Sequence, residues 1–333
     1  MRNPQIDALF ANFISPDTPG AAVLVAHNGQ IVYQAGYGLA RLDTQTHNTP
    51  NTIFHLASAG KQFTGLALMM LAEAGQLNYD DPVVKHLPEL EATLGSVVTL
   101  RHLLHHTGGV SDYYGNDDFI ARFPTPTNAE MLTFLSEQGG LEFTPGDRFE
   151  YSNSGYDILG SVIERVAGQT FGAFMQTRVF QRLGMTSTFS YDPQRLADPA
   201  RALGYAPEGD HFDLYDSDSL DQLVGSGSIF SSVADLFRYD QALYTETLVK
   251  HASLTAAIQS GRLNDGSLTD YGFGWEVGQY AGTAYMGHSG SWVGFTSYML
   301  RFPDQKLSVF VLSNRADTEA ETLATQVADL YLK

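Results

Sequence analysis

At 333 residues, with 43% hydrophobic and 17% charged residues, the chain is long enough for one large domain or two lobes and has a globular composition. A formal charge of −18 and a pI near 4.7 argue against nucleic acid or an anionic membrane as partner, and no apolar stretch is long enough to span a bilayer. The lack of cysteine removes disulfides, cysteine zinc sites and a thiol nucleophile together.

The start, MRNPQIDALF, has no basic segment followed by an apolar one. The sequence as it stands therefore reads as cytoplasmic; with a secretory signal already removed, the same sequence would be periplasmic or secreted. After a short helix around 6–13, residues 21–38 read as a hairpin about Asn28-Gly29, a dipeptide suited to a type I′ turn. Next comes FHLASAGKQFTG, residues 54–65, where Ser58 and Lys61 stand one helical turn apart and so share a face. Apolar residues at Phe63, Leu66, Ala67, Met70, Leu71 and Ala74 predict a helix that stops at Gly75, with Ser58 in its first turn. There the positive end of the helix favours an alkoxide or a nearby oxyanion. The spacing admits two readings: Ser58 as nucleophile with Lys61 as its S-x-x-K partner, or Ser58 as a plain N-cap beside a solvated lysine. Gly60 between them costs about 1 kcal/mol of helix propensity against alanine and suggests close packing.

Residues 78–223 read as helices joined by loops rich in Gly, Pro, Asp and Asn, among them 100–106, 155–167 ended by Gly168, and 171–183 ended by Gly184. His102, His105 and His106 lack the glutamate of the zinc-protease pattern and any evident third ligand, so no metal is expected; His106 and Thr107 are expected to shape a turn. Tyr151 and Asn153 follow a Pro145-Gly146 turn. A phenol facing a lysine can be held as phenolate and an amide can orient a carbonyl, although Asn153 or Ser154 would equally serve as a helix N-cap. The acidic stretch 192–221 reads first as a solvated loop, second as a rim favouring cationic substrates. Ser232-x-x-Asp235 and Thr318-x-x-Glu321 resemble capping boxes, and between them strands are expected over 271–277, 283–287, 295–302 and 307–312. In GHSGSWVGF, small residues beside His288 allow a backbone edge to approach a ligand, and the N–H of Ser291 is a candidate second donor of an oxyanion hole with that of Ser58. The alternative is an ordinary strand-ending turn. No Gly-x-Ser-x-Gly elbow is present, which counts against an α/β-hydrolase.

Strands at both ends with helices between predict an α/β (α+β) architecture: a mixed lobe from 1–77 plus 224–333, a mainly helical lobe of 78–223 inserted into it, and a site in the cleft between. The ordered set Ser58-x-x-Lys61, Tyr151-x-Asn153 and His288-x-Gly290 resembles the class C β-lactamase and penicillin-binding protein family, with its peptidases and esterases. Further similar stretches are LLHHTGGV at 103–110, LGMTST at 183–188, GSGSIFSS at 225–232 and YGFGW at 271–275. The resemblance implies a β-lactamase/transpeptidase-like fold, an antiparallel sheet from both termini flanked by helices, with an inserted all-helical lobe. It implies Ser58 as nucleophile, Lys61 as base or relay, Tyr151 as proton shuttle, Asn153 as carbonyl ligand, and His288, Gly290 and Ser291 lining the substrate site. No cofactor or metal is implied. His288 stands where the β-lactamases of the family usually carry lysine; a histidine charged part of the time suits a D-amino-acid peptidase, carboxypeptidase or esterase better than a β-lactamase. The expected activity is metal-free serine hydrolysis of a small-molecule or short-peptide acyl substrate. A class C-type β-lactamase or penicillin-binding protein, and a non-catalytic scaffold, are the alternatives. Oligomeric state is left open.

Overall fold

In a computed structural model, which describes residues 3–332 apart from 14, 16 and 139, Asn3 caps a short helix, α1 (Pro4–Leu9). Asn28 and Gly29 both take positive φ, 52° and 77°, and so join β1 (Ala21–His27) to β2 (Gln30–Tyr37) in the type I′ manner expected. Helix α2 (Lys61–Glu73) ends where Gly75, at φ 70°, turns the chain and the Gln76 N–H reaches back to the Leu71 carbonyl. Segment 78–223 includes the helices α3 (Leu100–Leu104) and α4 (Asn153–Ala167), the latter closed by left-handed Gly168. The stretch 171–183 is helical throughout, with a π turn over Gln176–Phe180. Segment 78–223 is mainly helical but not all-helical: Phe189–Ser190 and the hairpin Tyr205–Glu208/His211–Leu214 are strands.

Beyond it, β3 (Ile229–Ser231) leads into α5 (Val233–Ala242). The chain then returns to the sheet as β4 (Glu276–Tyr280), β5 (Thr283–Trp292), β6 (Phe295–Phe302) and β7 (Leu307–Ser313), and closes with α6 (Ala320–Asp329). The six-stranded sheet runs β4-β5-β6-β7-β1-β2, and its named pairings are all antiparallel. Central strands are buried on both faces, which explains the near-continuous apolar runs of β1, β6 and β7. Val23, Val25, Val309 and Val311 pack with Ile6 and Phe10 of the N-terminal segment and Leu323 and Val327 of α6. Leu24, Phe310 and Leu312 face the larger core with Phe63, Leu66 and Tyr239. A buried ion pair, Arg301 Nε to Asp240 Oδ1 at 2.5 Å, fixes α5 to β6, and Ser308 Oγ of β7 donates to the same carboxylate oxygen at 2.7 Å.

Three local expectations are corrected. Residues 271–275 form a turn, with Gly274 at φ 80°, folded so tightly over the start of α2 that β4 begins only at Glu276. Thr318 does not cap α6; its hydroxyl bonds that of Ser313 at 2.8 Å, and the cap position is Glu319. Ser232 does cap α5, but the Asp235 carboxylate turns to the Ser187 N–H and the Thr188 hydroxyl rather than back to the cap. Among the described residues no helix is long and apolar enough to cross a membrane.

Candidate active site

Phe54–His55 pairs with β3, and the chain then turns sharply: the Ala57 N–H donates to His55 Nδ1 at 2.9 Å and Ala57 takes φ 50°. Ala57–Gly60 is a 3₁₀ turn, so Ser58 precedes α2 rather than lying in its first turn. The tighter winding eclipses positions i and i+3, and Lys61 Nζ lies 3.2 Å from Ser58 Oγ. The N-cap alternative for Ser58 is not realised, since no side chain caps α2. Strand β5 crosses directly over this turn. A Cβ on Gly290 would lie 2.2 Å from the Leu56 carbonyl oxygen, so only glycine permits the approach that brings Ser291 beside Ser58 on the walls of the same cavities.

Lys61 has no exposed surface. Its ammonium donates to Asn153 Oδ1 at 2.7 Å and to the Ser226 carbonyl at 2.8 Å as well as to Ser58. Burial drives its pKa down to about 7, against the pull of Asp157 and Asp112. Asp157, equally buried, is pushed upward by desolvation while Tyr113, Ser226 and Lys61 pull it back. The Ser226 backbone stands between the two: its N–H donates to Asp157 at 2.7 Å and its carbonyl accepts from Lys61.

Ser152, rather than Asn153 or Ser154, is the N-cap of α4, its hydroxyl accepting from the Gly155 N–H at 3.1 Å. That places Asn153 at the first helical position, where Asp112 accepts its backbone N–H at 2.8 Å and its side-chain amide at 3.3 Å. The amide oxygen is thereby turned to Lys61. Tyr151, just outside the helix, keeps 37% of its surface exposed and lines one cavity together with Ser58. The Lys61 ammonium lies 4.7 Å from the ring centroid, against the face rather than at the oxygen. Desolvation outweighs the lowering influence of Ser58 and raises the phenol pKa, so the resting group is a neutral phenol, not the phenolate entertained from sequence.

His288 is also corrected. It is 2% exposed; Nδ1–H donates to the Ser289 carbonyl at 2.6 Å, and Nε2 accepts from the Tyr271 hydroxyl at 2.7 Å. Burial first, then the nearby Lys61, push its pKa down to about 3. It is a neutral ring at neutral pH, not a part-time cation.

Two cavities meet at Ser58. One, of about 180 Å³, includes Tyr114, Asn153, Asp221 and Trp292 in its walls; the other, of about 530 Å³, includes Tyr151, Glu276, His288, Glu319 and Glu321. Among the described residues neither cavity is lined by lysine or arginine. Of the acidic stretch 192–221, Asp221 reaches a wall, where it accepts from Trp292 Nε1 at 2.7 Å, whereas Asp216 pairs with Arg201. Tyr113 is turned inward to Asp157. Sequence reasoning missed Asp112, Asp157, Tyr271 and Glu276. Asp157 alone carries a local signal, a carboxylate within the apolar run of an amphipathic helix.

The fold is that of the serine β-lactamase and transpeptidase class. The chain belongs to the Beta-lactamase family, whose model matches residues 6–332. It is 32% identical to "Penicillin-binding protein 4*" of Bacillus subtilis over 99% of its own length and 76% of the relative's. It is 28% identical to "Protein flp" of Staphylococcus aureus strain COL over 93% of its length, and spans 62% of that longer protein. Among solved structures it is similar to the octameric penicillin-binding protein homologue from Pyrococcus abyssi, with a TM-score of 0.88, 27% identity, and 99% of this chain and 77% of that one covered. The penicillin-binding protein from Bacillus halodurans gives 0.84 and 26%, covering 98% and 99%.

Proposed function

We propose that the chain is a serine hydrolase that carries its acyl group on Ser58 and acts on amides or esters of small amine-bearing or neutral substrates, D-amino-acid derivatives foremost. The observation that carries this is the buried Lys61, whose amine lies 3.2 Å from Ser58 Oγ and whose proton is loosened by desolvation. In acylation, Ser58 Oγ bonds to the carbonyl carbon as its proton passes to neutral Lys61. The N–H groups of Ser58 and Ser291 hold the oxyanion, and Asn153 orients the substrate carbonyl. The Tyr151 hydroxyl delivers a proton to the leaving group and is re-protonated from Lys61. Water then attacks the ester, giving its proton back along the same path while Ser58 leaves as the alcohol.

The substrate preference rests on charge. A β-lactam carboxylate would meet a neutral His288 and a wall of Glu276, Glu319 and Glu321, with no lysine or arginine among the described lining residues to receive it. Burial, and the neighbouring Glu321 charge, already raise the Glu276 pKa, so the wall resists further negative charge.

Intact-mass measurement after a fluorophosphonate should show one adduct on the wild type and none on Ser58→Ala. Turnover of p-nitrophenyl esters and D-amino-acid anilides should exceed that of a chromogenic cephalosporin. A cephalosporin turned over far faster than either would replace this reading with a β-lactamase. No Ser58-dependent adduct and no ester turnover would leave a scaffold.

A further inference from the structure

We propose that His106 is a positioning residue for Tyr151, a clamp that grips the chain on both sides of the phenol and supports its ring from beneath. The inference rests on the proton-shuttle reading of Tyr151. Three contacts carry it. The Glu150 N–H donates to the His106 carbonyl at 2.8 Å, and the Ser152 N–H donates to His106 Nδ1 at 3.1 Å, so the residues flanking Tyr151 both end on one partner. The imidazole packs on the Tyr151 ring at 4.3 Å between centroids and 32° between planes. His106 is in turn held among Tyr156 and Tyr271, at 4.9 and 4.6 Å, and its turn is tied to the approach of Tyr151 by the Gly146 N–H donating to the Thr107 carbonyl at 2.8 Å.

The arrangement has a cost that backbone shaping alone would not require. His106 sits at φ 56°, and its Nε2 is buried without a hydrogen-bond partner. Asparagine tolerates that backbone better and offers an acceptor in the place of Nδ1. What the imidazole adds is a flat, rigid floor under a ring that is otherwise 37% exposed and lies ahead of the helix. Burial and Lys61 keep His106 neutral, so the clamp adds no charge beside the amine. A hydroxyl that must meet both Ser58 and a leaving group gains from such a floor, because a displacement of about 1 Å can cost roughly 10²-fold in rate.

The test compares substrates that do and do not need a proton on the leaving group: D-alanine p-nitroanilide, which does, and p-nitrophenyl acetate, which does not. His106→Asn keeps the acceptor and removes the ring; His106→Phe keeps a ring and removes the acceptor. Each folded variant should lose kcat/KM, which reports acylation, by about 10²-fold on the anilide with a much smaller loss on the ester. Adding Tyr151→Phe to either should cost little beyond Tyr151→Phe alone. Equal losses on both substrates, no loss on either, or losses that multiply fully with Tyr151→Phe would overturn the inference and leave His106 a structural turn residue. If Tyr151→Phe itself fails to discriminate between the substrates, it is the shuttle reading that falls.

Discussion

Lys61 and Asp157 are joined through one residue, Ser226, and their protons belong to a common titration. Lys61 must be neutral to accept from Ser58, so kcat/KM for an activated ester should rise with pH through about 7, the value to which burial lowers the amine. The Asp157 charge raises the Lys61 pKa, hence Asp157→Asn should move that acid limb to lower pH. A pH–rate profile with an unmoved limb would separate the two groups. Ser58 and Lys61 are legible in the sequence because three residues of local winding bring them together. The neutrality of His288 is not, because it comes from Tyr271, Ser289 and the burial that packing imposes. Asp112 stays hidden for the same reason, its partner Asn153 coming from a distant segment, whereas Asp157 is marked only by its place in an apolar run.

Helix α2 packs backbone against backbone on Phe273 and Gly274. A Cβ on Gly65 would stand 2.3 Å from the Phe273 carbonyl oxygen, whereas one on Gly60 would meet Ile229 at 3.4 Å. The glycine that draws attention in the sequence is therefore not the one the packing demands. Gly65→Ala should destabilise the protein by about 1–3 kcal/mol in urea unfolding, and Gly60→Ala should be close to neutral. The hairpin, α2 with its glycine stop, and β6 are readable from period and turn chemistry, which act within the element. The boundary of β4 is not, since Gly274 and its neighbours are drawn away by contact with α2. At the junction of α5 with the sheet, Asp240→Ala would leave the Arg301 guanidinium buried and uncompensated, a loss of about 3–5 kcal/mol. Pairing it with Arg301→Met should recover part of the stability, measured by the same unfolding curves.

Across the whole molecule the charge of −18 acts at range. Screening shortens from about 30 Å at 0.01 M salt to about 8 Å at 0.15 M, so kcat/KM for a p-nitrophenyl ester bearing a trimethylammonium group should fall over that interval while a neutral ester stays level. Equal salt responses would remove any steering role for the field. The same scale bears on how the protein comes to exist. Strand β1 lies between β2 and β7, with Ala21 opposite Ser313 and His27 opposite Leu307, so one of its edges is closed by a segment made 280 residues later (307 less 27). On a ribosome adding about 5–20 residues per second, that apolar edge waits open for tens of seconds. Ser58 and Lys61 are already synthesised by then, but β5, which passes over their turn, is not. A product released before β5 would carry Ser58, Lys61 and an unpaired strand: a template for aggregation rather than a weak enzyme.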